Sequence, residues 1–383
     1  MEANTPLWDQ DAWADLDRLT SDVEADVCVV GLGGSGLTAI HELLDLGASV
    51  VGIDAGPVAG RAAGRNGGLL LAGLAPFYHD AVGTLGRERA RALYRATMDE
   101  QERIARRTPE HVRFTGSLRI ATSDDELVDC GRHLDALKAD GLPAAHYDGP
   151  RGRGLLFPTD LSVNPLLRVR SLANQAIARG AQLFEHSAAA DISGERVATA
   201  DGSVRAGAVI VAVDGHLDRV LPELQGRVRT ARLQMLGTAP ATDVEIPQPV
   251  YVRYGYDYFQ QLTDGSIALG GFRDHCESEE WTHDATPTDA IQSLLEAYLR
   301  ESIGTGAEIT HRWAASVAYT DGPLPIVEET RPGVWAIGGY SGTGNLVGAL
   351  AARAASALAL GQSSELATLF TDPILPRARF DDA

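Results

Sequence analysis

The sequence predicts a mixed protein, α/β with α+β. A Rossmann-like nucleotide-binding domain is interrupted by a discontinuous, β-sheet-rich substrate domain. Three observations predict it. A complete strand–glycine turn–helix–strand unit opens the chain at residues 25–54. Elements of the same kind recur in the middle and near the end. Between them, at about 76–150 and 226–308, lie arginine-rich helical stretches and β-type alternation. The division read from this order is 1–75, 151–225 and 309–383 for the nucleotide domain, and 76–150 and 226–308 for the insertion.

The elements follow in order. Residues 25–30 (ADVCVV) form a short apolar run, as expected of a parallel strand buried on both faces. Ser35 to Leu46 carries Leu37, Ile40, Leu43 and Leu44 at helical spacing, and Gly47 stops the helix. ASVVGID is the second strand. Residues 80–107 are charged and proline-free and predict one or two long helices. GSLRIATSDDEL reads as a strand running into a helix start, and GPRGRG (149–154) as a break. Asn164 and Pro165 suit a helix N-cap and first turn, and Gly180 its end. AQLFEH and AVIVAV are strands. Residues 228–280 alternate in β fashion with TDG (263–265) as a turn, and this strand reading includes Arg273 and His275. A helix covers about 287–302, GVWAIGG is a strand, and an Ala/Leu helix runs from about 344 to 360.

Bulk chemistry narrows the partners. The 383 residues carry a net charge of −19, which disfavours nucleic acid and anionic membranes, since both demand clustered positive charge. Hydrophobic residues make up 44%, enough for large cores. The acidic N-terminus lacks a signal-peptide apolar region, and no run is long enough to span a membrane. Cys28, Cys130 and Cys276 show no metal-ligand spacing, so a cytoplasmic protein with reduced thiols and no metal is expected.

Gly31, Gly33 and Gly36 spell G-x-G-x-x-G between a strand and a helix. Gly31 permits the tight turn, Gly33 lets a pyrophosphate approach, and Gly36 lets helix and strand pack closely. Asp54 ends the second strand, placed to accept from ribose hydroxyls. A glycine loop with arginine and asparagine, GRAAGRNGG (60–68), follows at once, where a plain NAD domain continues with a helix and a third strand. AIGGYSGTGNLVGAL (336–350) is a second glycine turn near the other end. A long flat ligand touched by both ends of the chain suits FAD better than NAD.

GRNGG, DGSIALGGFRD, TDGPLP and GGYSGTG, in that order, resemble the D-amino-acid oxidase-type FAD-dependent oxidoreductases. Members include glycine oxidase and sarcosine oxidase, and the GRNGG loop and GGFRD look most like the gamma-glutamylputrescine oxidase branch. The resemblance covers about residues 24–362. It implies that Gly31, Gly33, Gly34, Ser35 and Gly36 hold the pyrophosphate and that Asp54 and Ala55 lie at the ribose. Arg61, Ala63, Arg65, Asn66, Gly67 and Gly68 then flank the flavin side. Ala189 would touch adenine through its backbone, and Ala212 would also contact the cofactor. Gly342, Thr343, Gly344 and Asn345 would lie at the flavin N1–C2=O edge.

Departures from the family pattern carry expectations too. Ala63 stands where members have a small hydroxyl residue. Val317 stands near the place of the covalent flavin cysteine of some members, so noncovalent FAD is expected. Others carry an arginine in that stretch to clamp a substrate carboxylate, and Arg273 is the remaining candidate for that task. Tyr258, Arg273, His275 and Tyr340 are the candidate substrate contacts.

The expected reaction removes hydride from the carbon of an amine or amino-acid C–N bond to flavin N5, giving an imine. No catalytic side chain is required, because the cofactor supplies the chemistry. A helix start at Thr343, Gly344 and Asn345 would favour negative charge on the cofactor. Lys138, the sole lysine, lies far from every flavin motif, so oxygen or another acceptor takes the electrons and reaction with oxygen is expected to be slow. The alternatives are an amino-acid oxidase or dehydrogenase using Arg273 on the carboxylate, a non-catalytic FAD-binding protein and a tRNA-modifying flavoprotein. The sequence does not fix the oligomer.

Overall fold

A computed structural model describes residues 2–9 and 13–371. The chain folds as two compact units, one made of 11–64, 166–231 and 317–383, the other of 1–10, 65–165 and 232–316. The boundaries thus fall away from those read in the sequence. Residues 2–9, 65–75, 151–165 and 309–316 fold with the sheet-rich unit, and residues 226–231 with the other. Glu2–Ala3 pairs with His311–Arg312, and Leu69–Leu70 pairs with Leu161–Ser162.

In the first unit the central strands are parallel. Asp22–Val30 lies between Val50–Ile53 and Ser203–Val211, with Gln182–Phe184 and Val334–Gly338 further out. Burial on both faces explains the unbroken apolar runs. Val27, Cys28, Val29, Val209, Ile210 and Val211 are all fully buried. Helix Gly34–Asp45 packs on helix Val347–Ala359. Ser356 Oγ donates to Ala39 O at 3.3 Å, and Arg353 pairs with Glu42. The glycine turn at 31–34 leaves the carboxyl end of the central strand, where open parallel sheets bind ligands.

The second unit is built on a mostly antiparallel sheet. Its strand order among the described residues is Glu2–Ala3, Ile309–Tyr319, Arg229–Thr238, Ile267–Gly270, Asp257–Gln261, Val250–Val252, Ser117–Ile120, Gly152–Phe157 and Ala145–Gly149. Residues 149–152 make the tight end of a hairpin, so the glycine-rich stretch there is a turn between paired strands. TDG closes a second hairpin. The helical stretch at 80–107 is two helices, Tyr78–Leu85 and Arg87–Arg107, separated at Gly86, whose φ is +81°. Beyond Gly270 the strand reading fails. Phe272 takes a left-handed φ of +62°, and Arg273–Cys276 forms a 3-10 turn, so Arg273 and His275 do not share a strand face. Among the described residues, no helix is long and apolar enough to cross a membrane.

Candidate functional site

The nucleotide turn is built by steric necessity. A Cβ on Gly36 would lie 1.8 Å from Gly31 O, and one on Gly31 would lie 2.5 Å from Ala212 O. Gly31 also holds φ at +109°, which side chains with a Cβ rarely adopt. The helix that follows has Gly33 as N-cap, no capping side chain and no acid in its first turn. Its first N–H groups are therefore open to an anion, with the positive end of the helix dipole behind them. Ala63 Cβ lies 3.3 Å from where a Gly33 Cβ would be, so an alanine methyl lines this turn.

Asp54 Oδ2 accepts from Leu32 N at 2.7 Å and Oδ1 from Gly56 N at 2.9 Å. Burial raises its pKa above the usual value, while these two bonds act against the rise. Each oxygen keeps a further lone pair, which suits a ribose hydroxyl. Ala55 beside it is exposed, Ala189 is partly exposed in the loop before Asp191–Ile192, and Ala212 is buried at the end of its strand. Arg61 is exposed, its Nη1 3.2 Å from His216 Nε2. These residues fit an extended dinucleotide: an uncapped helix start for the phosphates and a carboxylate at the neighbouring strand end.

The second glycine turn, in the same unit, is pinned by a residue that sequence reasoning missed. Asp214 accepts from Ala318 N, Gly339 N and Tyr340 N at 3.2, 3.0 and 3.5 Å. It follows AVIVAV directly, at the end of a buried strand, and that position was the available signal. Gly339, Ser341 and Gly342 all have positive φ, and a Cβ on Gly342 would meet nothing within 4 Å. Helical bonding begins at Thr343 and Gly344, whose carbonyls accept from Val347 and Gly348, and Asn345 lies in that first turn. Tyr340 is buried against Gly344 and Gly348, so the structure places it in the packing of this turn.

In the sheet-rich unit, the GRNGG loop is held by its own neighbours. Arg65 donates to Asn4 Oδ1, Asn4 O and Ala314 O. Asn66 O accepts from Trp8 Nε1 at 3.0 Å, and its Oδ1 accepts from Gly68 N at 2.9 Å. Gln260 Nε2 donates to Gly67 O at 2.5 Å. A Cβ on Gly67 would lie 2.9 Å from the Tyr258 ring, and Tyr258 stacks on Tyr251 with centroids 5.6 Å apart. Tyr258 is thus brought against the glycine turn. The Arg273 guanidinium lies 4.9 Å from the Trp281 ring centroid and 5.7 Å from that of Tyr256. His275 Nε2 lies 2.8 Å from Arg253 Nη1, in a cluster with Asp257 and Asp274. Asp15, Glu185 and His186 bring possible metal-ligand atoms within 4.8 Å of one another. Glu185, however, already accepts from Trp13 Nε1, Leu16 N and Val58 N.

Two buried carboxyls set a pH dependence. Burial pushes both Asp160 and Asp214 up to about 6. An unfolded aspartate titrates near 3.9, about two units lower, so each group costs roughly 3 kcal/mol once ionised. Between pH 4 and 6 the folded chain holds protons that the unfolded chain has released, and stability falls as pH rises through that window. Asp160→Asn should therefore gain on the wild type by roughly 3 kcal/mol between pH 4 and 7. Urea midpoints across that range measure it, and a gap that stays constant with pH refutes the assignment.

An uncapped helix start beside a strand-end carboxylate, with a second glycine turn in the same parallel-sheet unit, suits a dinucleotide. Residues 26–358 match the DAO family, FAD dependent oxidoreductase, and the chain belongs to that family. It is similar to the gamma-glutamylputrescine oxidoreductase of Escherichia coli strain K12, 26% identical, covering 95% of this chain and 90% of that protein. The probable oxidoreductase OrdL of Rhizobium meliloti strain 1021 is 28% identical over 90% of this chain and 85% of its own. In fold it is similar to glycine oxidase from Geobacillus kaustophilus, with a TM-score of 0.75 at 20% identity, covering 92% of this chain and 100% of that one.

Proposed function

We propose that this oxidoreductase oxidises the C–N bond of an amine or amino acid with noncovalently held FAD. The observation that carries it is the glycine turn at 31–36, whose close backbone contacts and open N–H groups suit a pyrophosphate. The likeness to a gamma-glutamylputrescine oxidoreductase over 95% of the chain supports an amine as substrate. FAD, when bound, supplies the hydride acceptor, and the substrate carbon leaves as an imine that water hydrolyses. The chain's own residues bind and orient. Gly33, Gly34, Ser35 and Gly36 offer backbone N–H groups to the phosphates, and Asp54 offers lone pairs to the ribose. The turn at Gly342, Thr343, Gly344 and Asn345, at the head of the Val347–Ala359 helix, favours negative charge placed before it.

Val317 supplies neither a thiol nor a guanidinium. Cys28 and Cys130 are buried, and Cys276 lies in the 3-10 turn after Phe272. Acid precipitation should therefore release the flavin into the supernatant. Lys138 is exposed on helix Asp124–Ala139, and we expect slow reoxidation by oxygen. Anaerobic mixing with a panel of amines and amino acids should bleach the visible flavin absorbance. A yellow protein that no member of the panel bleaches rejects the activity. An Arg273→Ala variant that loses only α-amino acids would favour the carboxylate role for Arg273.

A further inference from the structure

The sheet-rich unit holds a cavity of about 40 Å³ lined in part by Tyr94, Arg119, His133, Asp160 and Tyr251. Arg119 stands out chemically. Its guanidinium carbon lies 4.6 Å from the centroid of the Phe77 ring, and it donates no hydrogen bond to any described residue; Nε and Nη1 are buried without a partner. A cation with three buried, unused N–H groups, one on Nε and two on Nη1, is costly unless something accepts from them. Burial lowers its pKa, yet an arginine stays charged at neutral pH.

The nearby acid does not satisfy it. Asp160 Oδ1 accepts from Ala72 N and Gln101 Nε2, and Oδ2 accepts from Ser117 Oγ. Two further donors face the same space. His133 Nδ1 accepts from Tyr78 N at 2.7 Å, so its proton sits on Nε2. Burial, with Arg119 and His79 nearby, pushes its pKa down to about 2, and the ring is neutral. Burial likewise raises the Tyr94 pKa and keeps its hydroxyl protonated. The cavity thus presents a cation and two neutral donors beside the Asp160 carboxylate, whose three accepted bonds all come from other groups.

We propose that this cavity binds a substrate carboxylate remote from the reacting carbon, with Arg119 as the residue that selects for it. The proposal rests on the amine-oxidation reading and deepens it: the preferred substrates are ω-amino acids and similar amines ending in a carboxylate. The unpartnered guanidinium calls for an anion. A cavity of about 40 Å³ admits a group as compact as a carboxylate. Position supports it. Tyr251 lines the cavity and stacks on Tyr258, which lies against Gly67 of the GRNGG loop. A chain of methylenes could run along those two rings from the cavity toward that glycine turn.

The test uses the holoenzyme and matched pairs, an unbranched ω-amino acid against the plain amine of equal length. The carboxylate member should show a KM lower by about tenfold or more, with little change in kcat, since a charge-assisted bond of about 1.5–3 kcal/mol acts on binding. In Arg119→Gln that advantage disappears, and Arg119→Lys restores part of it. Separately, glutarate should raise the melting temperature of the wild type but not of Arg119→Gln, a difference that a merely structural arginine would not produce. If neither member of any pair is oxidised while glutarate still protects through Arg119, the amine reading fails and the carboxylate site stands. If glutarate protects neither protein, or both equally, the cavity holds only water and the proposal is overturned.

Discussion

Gly36→Ala is expected to yield a protein that purifies without flavin colour and oxidises nothing. The added methyl would lie 1.8 Å from Gly31 O, a backbone atom that cannot swing aside. Gly31 cannot retreat either, because the space behind it is taken by Ala212 O. Helix and strand must then separate, and the N–H groups at the helix start lose their common aim. FAD affinity should fall by on the order of a hundredfold or more, about 3 kcal/mol. Gly83→Ala serves as the control, since a Cβ there meets nothing within 4 Å and the site is exposed in helix Tyr78–Leu85. A Gly36→Ala protein that binds FAD like the wild type would remove the close-packing argument.

Arg232→Ala should destabilise the sheet-rich unit by about 3–5 kcal/mol, because it strands a buried carboxylate. Glu280 is 1% exposed, and Arg232 reaches it through Nη2 at 2.7 Å and Nε at 3.1 Å. Gln234 Nε2 adds bonds at 3.0 and 3.1 Å and also reaches Thr288 Oγ1. The acid comes from one short helix and its partners from the Arg229–Thr238 strand, so the network ties a loop region to the sheet. The double variant Arg232→Met with Glu280→Gln should recover most of the loss, since no unpaired charge remains. Chemical denaturation of the three proteins decides it. A single variant within 1 kcal/mol of wild type would mean that water already reaches Glu280.

Much of this was legible in the chain itself. Unbroken apolar runs, glycine spacing and the strand-end Asp54 are local signals, and local signals give local structure: the parallel strands, the nucleotide turn and the long helices. The Arg273 stretch misled because TDGSIALGGFRD alternates up to Gly270 and then breaks at Phe272, where a left-handed residue turns the chain. Nothing in the pattern announces that turn. Arg119 looked like an ordinary strand residue in GSLRIAT, since its neighbours in space, Phe77, Tyr94, His133 and Tyr251, come from four separate segments.

By itself, then, the sequence determined the class of fold, the glycine turn that suits a flavin nucleotide and the family. The fold class and the turn follow from hydrophobic period and glycine spacing, and the family from the resemblance of its ordered motifs. Tertiary structure alone decided that Asp214 braces the second glycine turn, that residues 65–75 fold with the sheet, and that Nε and Nη1 of Arg119 lie buried with no acceptor. Each depends on long-range contacts, and the cost of a buried unpaired charge exists only once distant segments have closed around it.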